Sequence, residues 1–193
     1  MTEEVKNDND KNPRPIMTRR FIVFLSLDSL PFDRIYFQLY FFGDAVMESD
    51  YFIRQIRPEE IAEALGLAWN VFLEFESPEY TKEGVEEFYK SIHDETYLSK
   101  LRWYGAFVQE KLVGIIATRN EETHIALFFV DEKYHRQGIG RLLFEFARSM
   151  TSSGKMTVNS SPYAVPVYHK LGFCDTDTEQ VVNGLRFTPM EIK

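Results

Sequence analysis

Residues 123–150 constrain the fold of this chain more than any other part of the sequence. They begin with an apolar run, residues 125–130, continue through a charged turn and a loop that contains Gly138 and Gly140, and end in apolar residues at helical spacing. A helix begins with unpaired backbone N–H groups and a partial positive charge, so this strand–loop–helix order predicts an anion-binding site. The two glycines would let a phosphate approach the backbone closely.

The glycine spacing separates this loop from two better-known phosphate-binding loops. Residues 135–141 read HRQGIGR, which is neither the G-x-G-x-x-G fingerprint of dinucleotide-binding proteins nor a P-loop ending in Gly-Lys-Ser/Thr. Arg136 and Arg141 add positive charge beside the expected phosphate. The non-functional alternative is a glycine-containing turn before an ordinary helix.

A second informative stretch covers residues 157–173. The polar residues 159–161 end a short strand, and a helix that carries Tyr163 and Tyr168 follows them. Open α/β sheets bind ligands at the carboxyl ends of parallel strands. If this strand runs parallel to residues 125–130, both strands end at the same crevice.

The order of predicted elements indicates an α+β fold. From Tyr51 onward it is strand, two helices, three strands, helix, strand, helix and two strands. Tight hairpins predict antiparallel pairs, whereas the strand–helix–strand unit predicts one parallel pair in the same mixed sheet. Residues 173–182 and 185–192 flank Asn183-Gly184, a strong hairpin signal, and Pro189 predicts that the last strand is an edge or irregular strand.

Composition narrows the class of protein. The net charge of −8 argues against a nucleic-acid partner. The single cysteine, Cys174, excludes an internal disulfide, and the four histidines lack metal-ligand spacing, so we expect no metal. We also expect no membrane partner, and a reducing cytoplasm is the simplest location.

The first 46 residues differ in character from the rest. Residues 1–15 are polar and predict disorder. The apolar segments 21–27 and 35–42 are too short to span a bilayer and would suit an extra strand pair or a helix that covers the domain. We favour another hypothesis, in which residues 1–46 are an over-long gene prediction, Met47 is the natural start, and residues 47–193 form the domain.

The two informative stretches resemble the GNAT superfamily of N-acetyltransferases. The loop is similar to this family's acetyl-CoA loop, Gln/Arg-x-x-Gly-x-Gly/Ala after a strand ending in valine, with His135 where Gln or Arg is usual. Residues 168–173, YHKLGF, match the family's later Tyr-x-x-x-Gly-Phe motif, which follows a strand ending in asparagine, here Asn159. The resemblance covers about residues 51–193. It implies the GNAT fold, with helices on both faces and the parallel strand pair splayed around the cofactor.

The resemblance implies direct transfer of an acetyl group from acetyl-CoA to a primary amine of a small molecule or peptide. Tyr168 would protonate the departing thiolate, because a phenol is a suitable general acid. Backbone groups at the end of the apolar strand would hold the pantetheine arm. The implied cofactor-binding residues are Phe129, Val130, His135, Arg136, Gln137, Gly138, Ile139, Gly140, Arg141, Asn159 and Tyr168.

No motif identifies the general base. His124 titrates in the useful range, although a histidine at the start of a strand is more often structural. Glu74 and Glu76, near the end of the first helix, are candidates to line the acceptor pocket and deprotonate the amine. Their non-functional interpretation is an ordinary solvated helix face.

Two other functions stay open beside the enzyme. One is a non-catalytic acyl-CoA-binding or sensing module on the same fold, against which Tyr168 and Asn159 count. The other is an unrelated nucleotide-binding α/β protein, which predicts tighter binding of ATP or NAD than of CoA. We expect a monomer or a homodimer, and the last two strands are a candidate edge for pairing.

Overall fold

The computed structural model describes residues 34–37 and 51–193 and confirms the predicted α+β fold. The strands are β1 (Arg34–Phe37), β2 (Tyr51–Gln55), β3 (Arg102–Val108), β4 (Lys111–Arg119), β5 (His124–Val130), β6 (Met156–Ser160), β7 (Cys174–Asp175), β8 (Gln180–Val182) and β9 (Leu185–Ile192). The helices are α1 (Ile61–Val71), α2 (Lys82–Ser91), α3 (Glu95–Leu98), α4 (Ile139–Met150) and α5 (Val165–Leu171).

The described strands form one mixed sheet in the order β1-β2-β3-β4-β5-β6-β9-β7, and β8 pairs with β9. Its neighbouring strands are antiparallel except for β5 and β6, which are parallel. The β5–β6 ladder is short, because only His124 with Thr157 and Ile125 with Val158 are paired. Beyond these pairs the two strands diverge, and the gap between them opens towards their carboxyl ends. This confirms the predicted parallel strand pair with a splay.

Helices cover both faces of the sheet, as expected. On one face, α4 buries Leu143, Phe144 and Ala147 in an apolar layer that also contains Tyr168 of α5. On the other face, α1 and α2 lie over a second apolar layer. The small side chains of Ala64 and Ala68 are fully buried, which lets α1 approach the sheet closely.

The segment between α1 and α2 sets the position of the Glu76 side chain. After α1 the chain continues as a π-helical turn, Phe72–Glu76, and a 3₁₀ turn, Ser77–Glu79. Such π-helical turns are rare and are often found at functional sites. The predicted cap of α2 is confirmed, since the Thr81 hydroxyl accepts a hydrogen bond from the Gly84 N–H at 3.3 Å.

The last strands differ from the prediction in two ways. The strand expected over residues 173–182 is interrupted, and forms the short strands β7 and β8. Pro189 was expected to mark an edge or irregular strand. β9 is not an edge strand, because it lies between β6 and the β7–β8 side, but it is irregular, since its pairing on that side is interrupted at Thr188 and Pro189. Pro189 falls where β7 ends, so the sheet loses little pairing, and its carbonyl still accepts the Thr176 N–H at 2.9 Å. The Asn183-Gly184 hairpin is confirmed, and both residues have positive φ.

The N-terminal predictions are addressed only by β1. This strand pairs antiparallel with β2 and extends the sheet at that edge. The expected disorder of residues 1–15, the apolar segment 21–27 and the proposed start at Met47 lie outside the described residues. Within the described ranges, no helix is long and apolar enough to cross a membrane.

Candidate active site

The gap between β5 and β6 leaves one edge of β5 unpaired. The Asp131 N–H donates to the Val113 carbonyl of β4 at 2.9 Å. Because backbone groups alternate in direction along an antiparallel strand, those of Phe128 and Val130 point away from β4 and into the gap. By the same alternation the backbone groups of Phe129 face β4, and its expected contact with the cofactor stays a prediction.

His135, the unusual position of the loop, fixes the loop to the end of β5. Its Nε2 lies 2.7 Å from the Val130 carbonyl. A carbonyl only accepts, so Nε2 carries the proton and the imidazole acts as a donor. The ring also packs against Phe75, with ring centroids 5.3 Å apart. His135 therefore holds the loop in place. It also occupies the Val130 carbonyl, which is one of the two backbone groups of Val130 that face the gap.

The loop before α4 presents a run of free backbone N–H groups. The first bond of the helix runs from the Leu142 N–H to the Gly138 carbonyl at 3.0 Å. In the described part of the chain, the N–H groups of residues 136–141 donate to no other backbone group. Gly138 and Arg136 both have positive φ, 89° and 59°, which curls the backbone into the concave shape typical of anion-binding turns. The loop is thus a preformed anion cradle at a helix N-terminus.

The long side chains of the loop have different tasks. Gln137 stabilises the loop with two hydrogen bonds. Its Nε2 donates to the Lys133 carbonyl and its Oε1 accepts from the Tyr51 hydroxyl, both at 2.7 Å. Arg141 donates to the Lys170 carbonyl at 2.8 Å, at the end of α5. Arg136 has no hydrogen bond or ion pair with another described residue and lines a cavity beside the loop. Its charge is therefore available for a ligand.

Two cavities flank the gap and meet at shared residues. The loop cavity, about 440 Å³, lies between the loop and α5, where it includes Arg136, Gly140 and Lys170. The hairpin cavity, about 530 Å³, lies under α2 and the β8–β9 hairpin. The side chains or backbones of Glu76, Phe128 and Phe129 line both. A ligand in each cavity would therefore meet the other at this junction.

Glu76, at the end of the π-helical turn, is the titratable group at the junction. Burial raises the pKa of its carboxyl from 4.5 to about 7, and the nearby Ser161 hydroxyl opposes that shift. At neutral pH the carboxyl therefore exchanges a proton easily, which is the property of a general base. Its place at the end of the first helix follows from the sequence, but its place between the cavities does not.

Tyr168 lies in the wall of the hairpin cavity on α5. Its ring is 5% exposed and packs edge-on against Phe173, with ring centroids 5.2 Å apart. Burial, and then the charge of Glu76, raise the pKa of the phenol far above its usual value. The phenol therefore keeps its proton at physiological pH, and its hydroxyl has no hydrogen-bond partner among the described residues.

The remaining predicted site residues fall in different places. Asn159 is exposed on β6 and lines the hairpin cavity, not the loop cavity. The structure does not bring Glu74 together with Glu76, because Glu74 is exposed and lines a separate groove with Asn70 and Lys133. One helical turn cannot aim both glutamates at the gap.

His124 lies at the wrong end of the strand pair. Its Nδ1 is 2.8 Å from the Thr157 hydroxyl, at the closed end of the β5–β6 ladder, and it lines neither cavity. Burial, reinforced by the Arg119 charge, lowers the pKa of the imidazole to about 4. The structure therefore does not support the expectation that His124 acts as a general base.

Sequence reasoning missed several residues of the junction. Ser161 lies near both Glu76 and Tyr80, and the hydroxyl of Tyr80 donates to the Arg186 carbonyl at 3.0 Å. Ser161 belongs to the polar run that follows β6, and that run was its only signal. No motif marks Tyr80 or Arg186. Within the described residues, no group of three or more His, Cys, Asp or Glu is arranged to hold a metal ion.

Comparison with known proteins identifies the family. The Acetyltransferase (GNAT) domain matches residues 76–193, which include the loop, β6 and α5. The chain therefore belongs to the GNAT acetyltransferase family, and the predicted resemblance is confirmed. No curated protein matches the sequence.

Solved structures share the fold at low sequence identity. A GCN5-related N-acetyltransferase from Rhodopseudomonas palustris superposes with a TM-score of 0.63 at 22% identity, covering 77% of this chain and 98% of that chain. The PaiA N-acetyltransferase from Thermoplasma acidophilum, solved in complex with coenzyme A, gives 0.60 at 20% identity, covering 75% and 99%. YjaB from Escherichia coli gives 0.59 at 22%, covering 73% and 96%. These similarities establish the fold.

Proposed function

We propose that this chain is an N-acetyltransferase that moves an acetyl group from acetyl-CoA directly to a primary amine of a small molecule or peptide. The observation that carries the proposal is the meeting of two cavities at Glu76, beside an unpaired strand edge. One cavity has an anion cradle, and the other has a proton donor in its wall. Because acetyl-CoA is an intracellular metabolite, a cytoplasmic location is part of the proposal.

The residues of the loop cavity fit coenzyme A. The free N–H groups of residues 136–141 would bind the pyrophosphate, assisted by the charge of Arg136. The unpaired edge of β5, at Phe128 and Val130, would hydrogen-bond the pantetheine arm in the way an added strand does. Acetyl-CoA supplies the thioester that carries the acetyl group.

The junction supports direct transfer between the two ligands. The carboxylate of Glu76 would accept the proton of the acceptor ammonium, and the amine nitrogen would then bond to the thioester carbonyl carbon. The Phe128 N–H would donate to the carbonyl oxygen as negative charge develops there. As the carbon–sulfur bond breaks, the phenol of Tyr168 would give its proton to the departing sulfur. The nitrogen loses its second proton as the amide forms, and this proton would return to the Tyr168 phenolate, so that Tyr168 ends protonated and Glu76 releases the first proton to solvent.

The experiment is an assay of thiol release by the full chain with acetyl-CoA and a panel of amines, followed by mass analysis of the products. We expect release of CoA together with an amine product heavier by one acetyl group. Titration calorimetry with CoA accompanies it. Tight CoA binding with no product from any amine would favour the acyl-CoA sensor, and tighter binding of ATP or NAD would refute the assignment of the loop.

Glu76→Gln tests the proposed base. We expect kcat/KM for the amine to fall by about 10²- to 10³-fold, because a general base contributes about this much. The wild-type rate should rise with pH through about 7, where the Glu76 carboxyl ionises, and the variant should lose that step. The matched control is Glu74→Gln, two residues away in another groove. Equal activity of both variants would eliminate Glu76 as the base.

A further inference from the structure

We propose that the acceptor is a primary amine on an aromatic or aliphatic body that carries no carboxylate or phosphate. The proposal concerns the hairpin cavity and rests on the proposed function, since it names the class of amine used there. Its basis is the lining of the cavity, the charges that face it, and the partners that those charges already have.

The lining of the hairpin cavity is mainly apolar and rigid. Phe72 stacks on Phe88 with ring centroids 3.9 Å apart and on Tyr80 at 5.6 Å, and Phe88 meets Phe129 edge-on at 6.0 Å. Phe187, from β9, adds a further aromatic side chain to the same cavity. Because these rings support one another, the cavity offers a preformed apolar surface. An amine with an apolar body would displace water from it favourably.

The only cation that lines this cavity, among the described residues, is already paired. Both Nε and Nη2 of Arg186 donate to the Glu179 carboxylate, at 2.9 and 3.0 Å. Its Nη1 donates to the Glu79 carbonyl at 3.1 Å and lies 3.6 Å from the Glu79 carboxylate. Bidentate pairing of this kind is strong and occupies the donors of the guanidinium. Arg186 therefore offers little to a substrate carboxylate.

The other charged residues that line the cavity are acidic. Glu76 stands at the junction, and Glu87 of α2 is fixed by Asn183, whose Nδ2 donates to its Oε1 at 3.1 Å. These carboxylates attract an ammonium group and repel an anion. A carboxylate on the acceptor would lose its hydration and find no free cation, which costs binding energy. The cavity therefore selects against amino acids with a free α-carboxylate.

The substrate experiment compares 2-phenylethylamine with L-phenylalanine, using the full chain and saturating acetyl-CoA. These amines share the same ring and linker, and they differ in the carboxylate. We expect kcat/KM to favour 2-phenylethylamine by about 100-fold, as for a buried group left without a partner. Equal or higher kcat/KM for L-phenylalanine would overturn the proposal. A higher kcat/KM for methylamine than for 2-phenylethylamine would overturn it too, since the apolar body would then not matter.

Glu87→Gln tests the role of charge in this selection. We expect the ratio of the two kcat/KM values to fall by roughly 5- to 10-fold, the order for one nearby charge in a partly solvated site. The control is Glu86→Gln, an exposed neighbour on α2 that pairs with Lys82 and does not line the cavity. An unchanged ratio in a Glu87→Gln protein with normal CoA affinity would contradict the assignment. If that variant does not fold, the comparison of amines on the native protein still decides.

The two proposals fail in different ways. If no amine gives product, the proposed transferase function fails. If amines are acetylated but the carboxylate makes no difference, the transferase function stands and the acceptor class is wrong.

Discussion

The loop cavity and the hairpin cavity offer a ligand different kinds of contact. The loop cavity presents backbone N–H groups from one short segment, residues 136–141, at the start of α4. The hairpin cavity has no comparable run in the part of the chain that the structure describes, and it is lined by side chains from α2, the β8–β9 hairpin and the strand edges. Backbone recognition needs only a conformation, which glycine spacing encodes, whereas side-chain recognition needs particular residues brought together by the whole fold.

The difference has a consequence for specificity. A backbone cradle binds any ligand with the right phosphate, so it suits a cosubstrate used with many acceptors. A cavity of side chains changes its chemistry with single substitutions and can therefore take a different acceptor without altering the cradle. Variants confined to one cavity should affect one ligand and spare the other, and this is the property to test.

Gly138→Asp should have the largest effect, and it should be confined to the loop cavity. A carboxylate there repels the pyrophosphate, and we expect CoA affinity to fall by more than about 100-fold, or about 2.7 kcal/mol. Gly138 has a φ of 89°, and a Cβ added to it would have no heavy atom within 4 Å, so backbone strain rather than a clash is the other cost. Gly138→Asn, which tolerates positive φ, separates the two and should retain more affinity. Calorimetry with CoA measures both.

A matched control for the fold is Gly154→Asp, beyond the far end of α4. Gly154 also has positive φ, 66°, but it lies outside both cavities. The Gly154→Asp variant introduces the same charge, also at a residue with positive φ, without touching the loop. Equal loss of CoA affinity in the Gly138 and Gly154 variants would remove the basis for the comparison between the cavities.

The same contrast explains how much was predictable. The loop, the parallel strand pair and the order of elements follow from local patterns: glycine spacing, apolar runs and the Asn183-Gly184 turn. The splay of that pair was implied only by the family resemblance. Glu74 and Glu76 could not be separated, because the π-helical turn that aims one of them at the gap leaves no mark in the sequence. His124 is on the predicted strand but at its closed end, and only the short β5–β6 ladder reveals that.

Long-range contacts were the least predictable part. A glycine inside a helix, as at Gly84 in α2, ordinarily weakens the helix. This one allows contact with the hairpin tip, because a Cβ there would clash with the Gly184 carbonyl oxygen. The two glycines are far apart in sequence, and neither is informative alone. The lining of the hairpin cavity depends on such contacts, which is why its chemistry could not be predicted from motifs.

Gly84→Ala should have an intermediate effect, confined to the hairpin cavity. The added methyl group must push the Asn183-Gly184 tip away, at a cost of about 1–3 kcal/mol in unfolding free energy, as for overpacking. Because the tip helps to enclose the cavity, KM for the amine should rise several-fold while CoA affinity stays unchanged. Steady-state kinetics and calorimetry measure the two quantities separately.

The control for that variant is Gly66→Ala in α1. A Cβ at Gly66 would have no heavy atom within 4 Å, so the substitution should stabilise the helix by about 1 kcal/mol and leave KM unchanged. If Gly84→Ala weakened CoA binding as much as amine binding, the two cavities would not act independently.

Glu76→Gln should have the smallest effect on the stability of the fold. Whether the variant is more or less stable than the wild type tests the surroundings of this carboxyl at the junction. The folded chain holds the Glu76 proton up to a pH of about 7, whereas the unfolded chain releases it near 4.5, the ordinary pKa of the group. As pH rises through this window, the folded state must give up a proton that it binds more tightly, so the wild type loses stability. The variant has no proton to lose, and it should be more stable than the wild type at pH 8.

The expected gain at pH 8 is about 1 kcal/mol, less than the full pKa shift would give because the side chain is partly open to water. At pH 4 the carboxyl is protonated in both states, and the gain should vanish. Urea unfolding of both proteins at the two pH values measures it, with Glu74→Gln as the control. If the variant is more stable but turns over more slowly, the surroundings of Glu76 favour the protonated carboxyl. Keeping this carboxyl at the junction then lowers the stability of the fold, which a purely structural residue would not do. The opposite outcome would be a variant whose stability relative to the wild type is lower at pH 8 than at pH 4. The ionised Glu76 would then stabilise the fold, and the reason to place the base there would be removed.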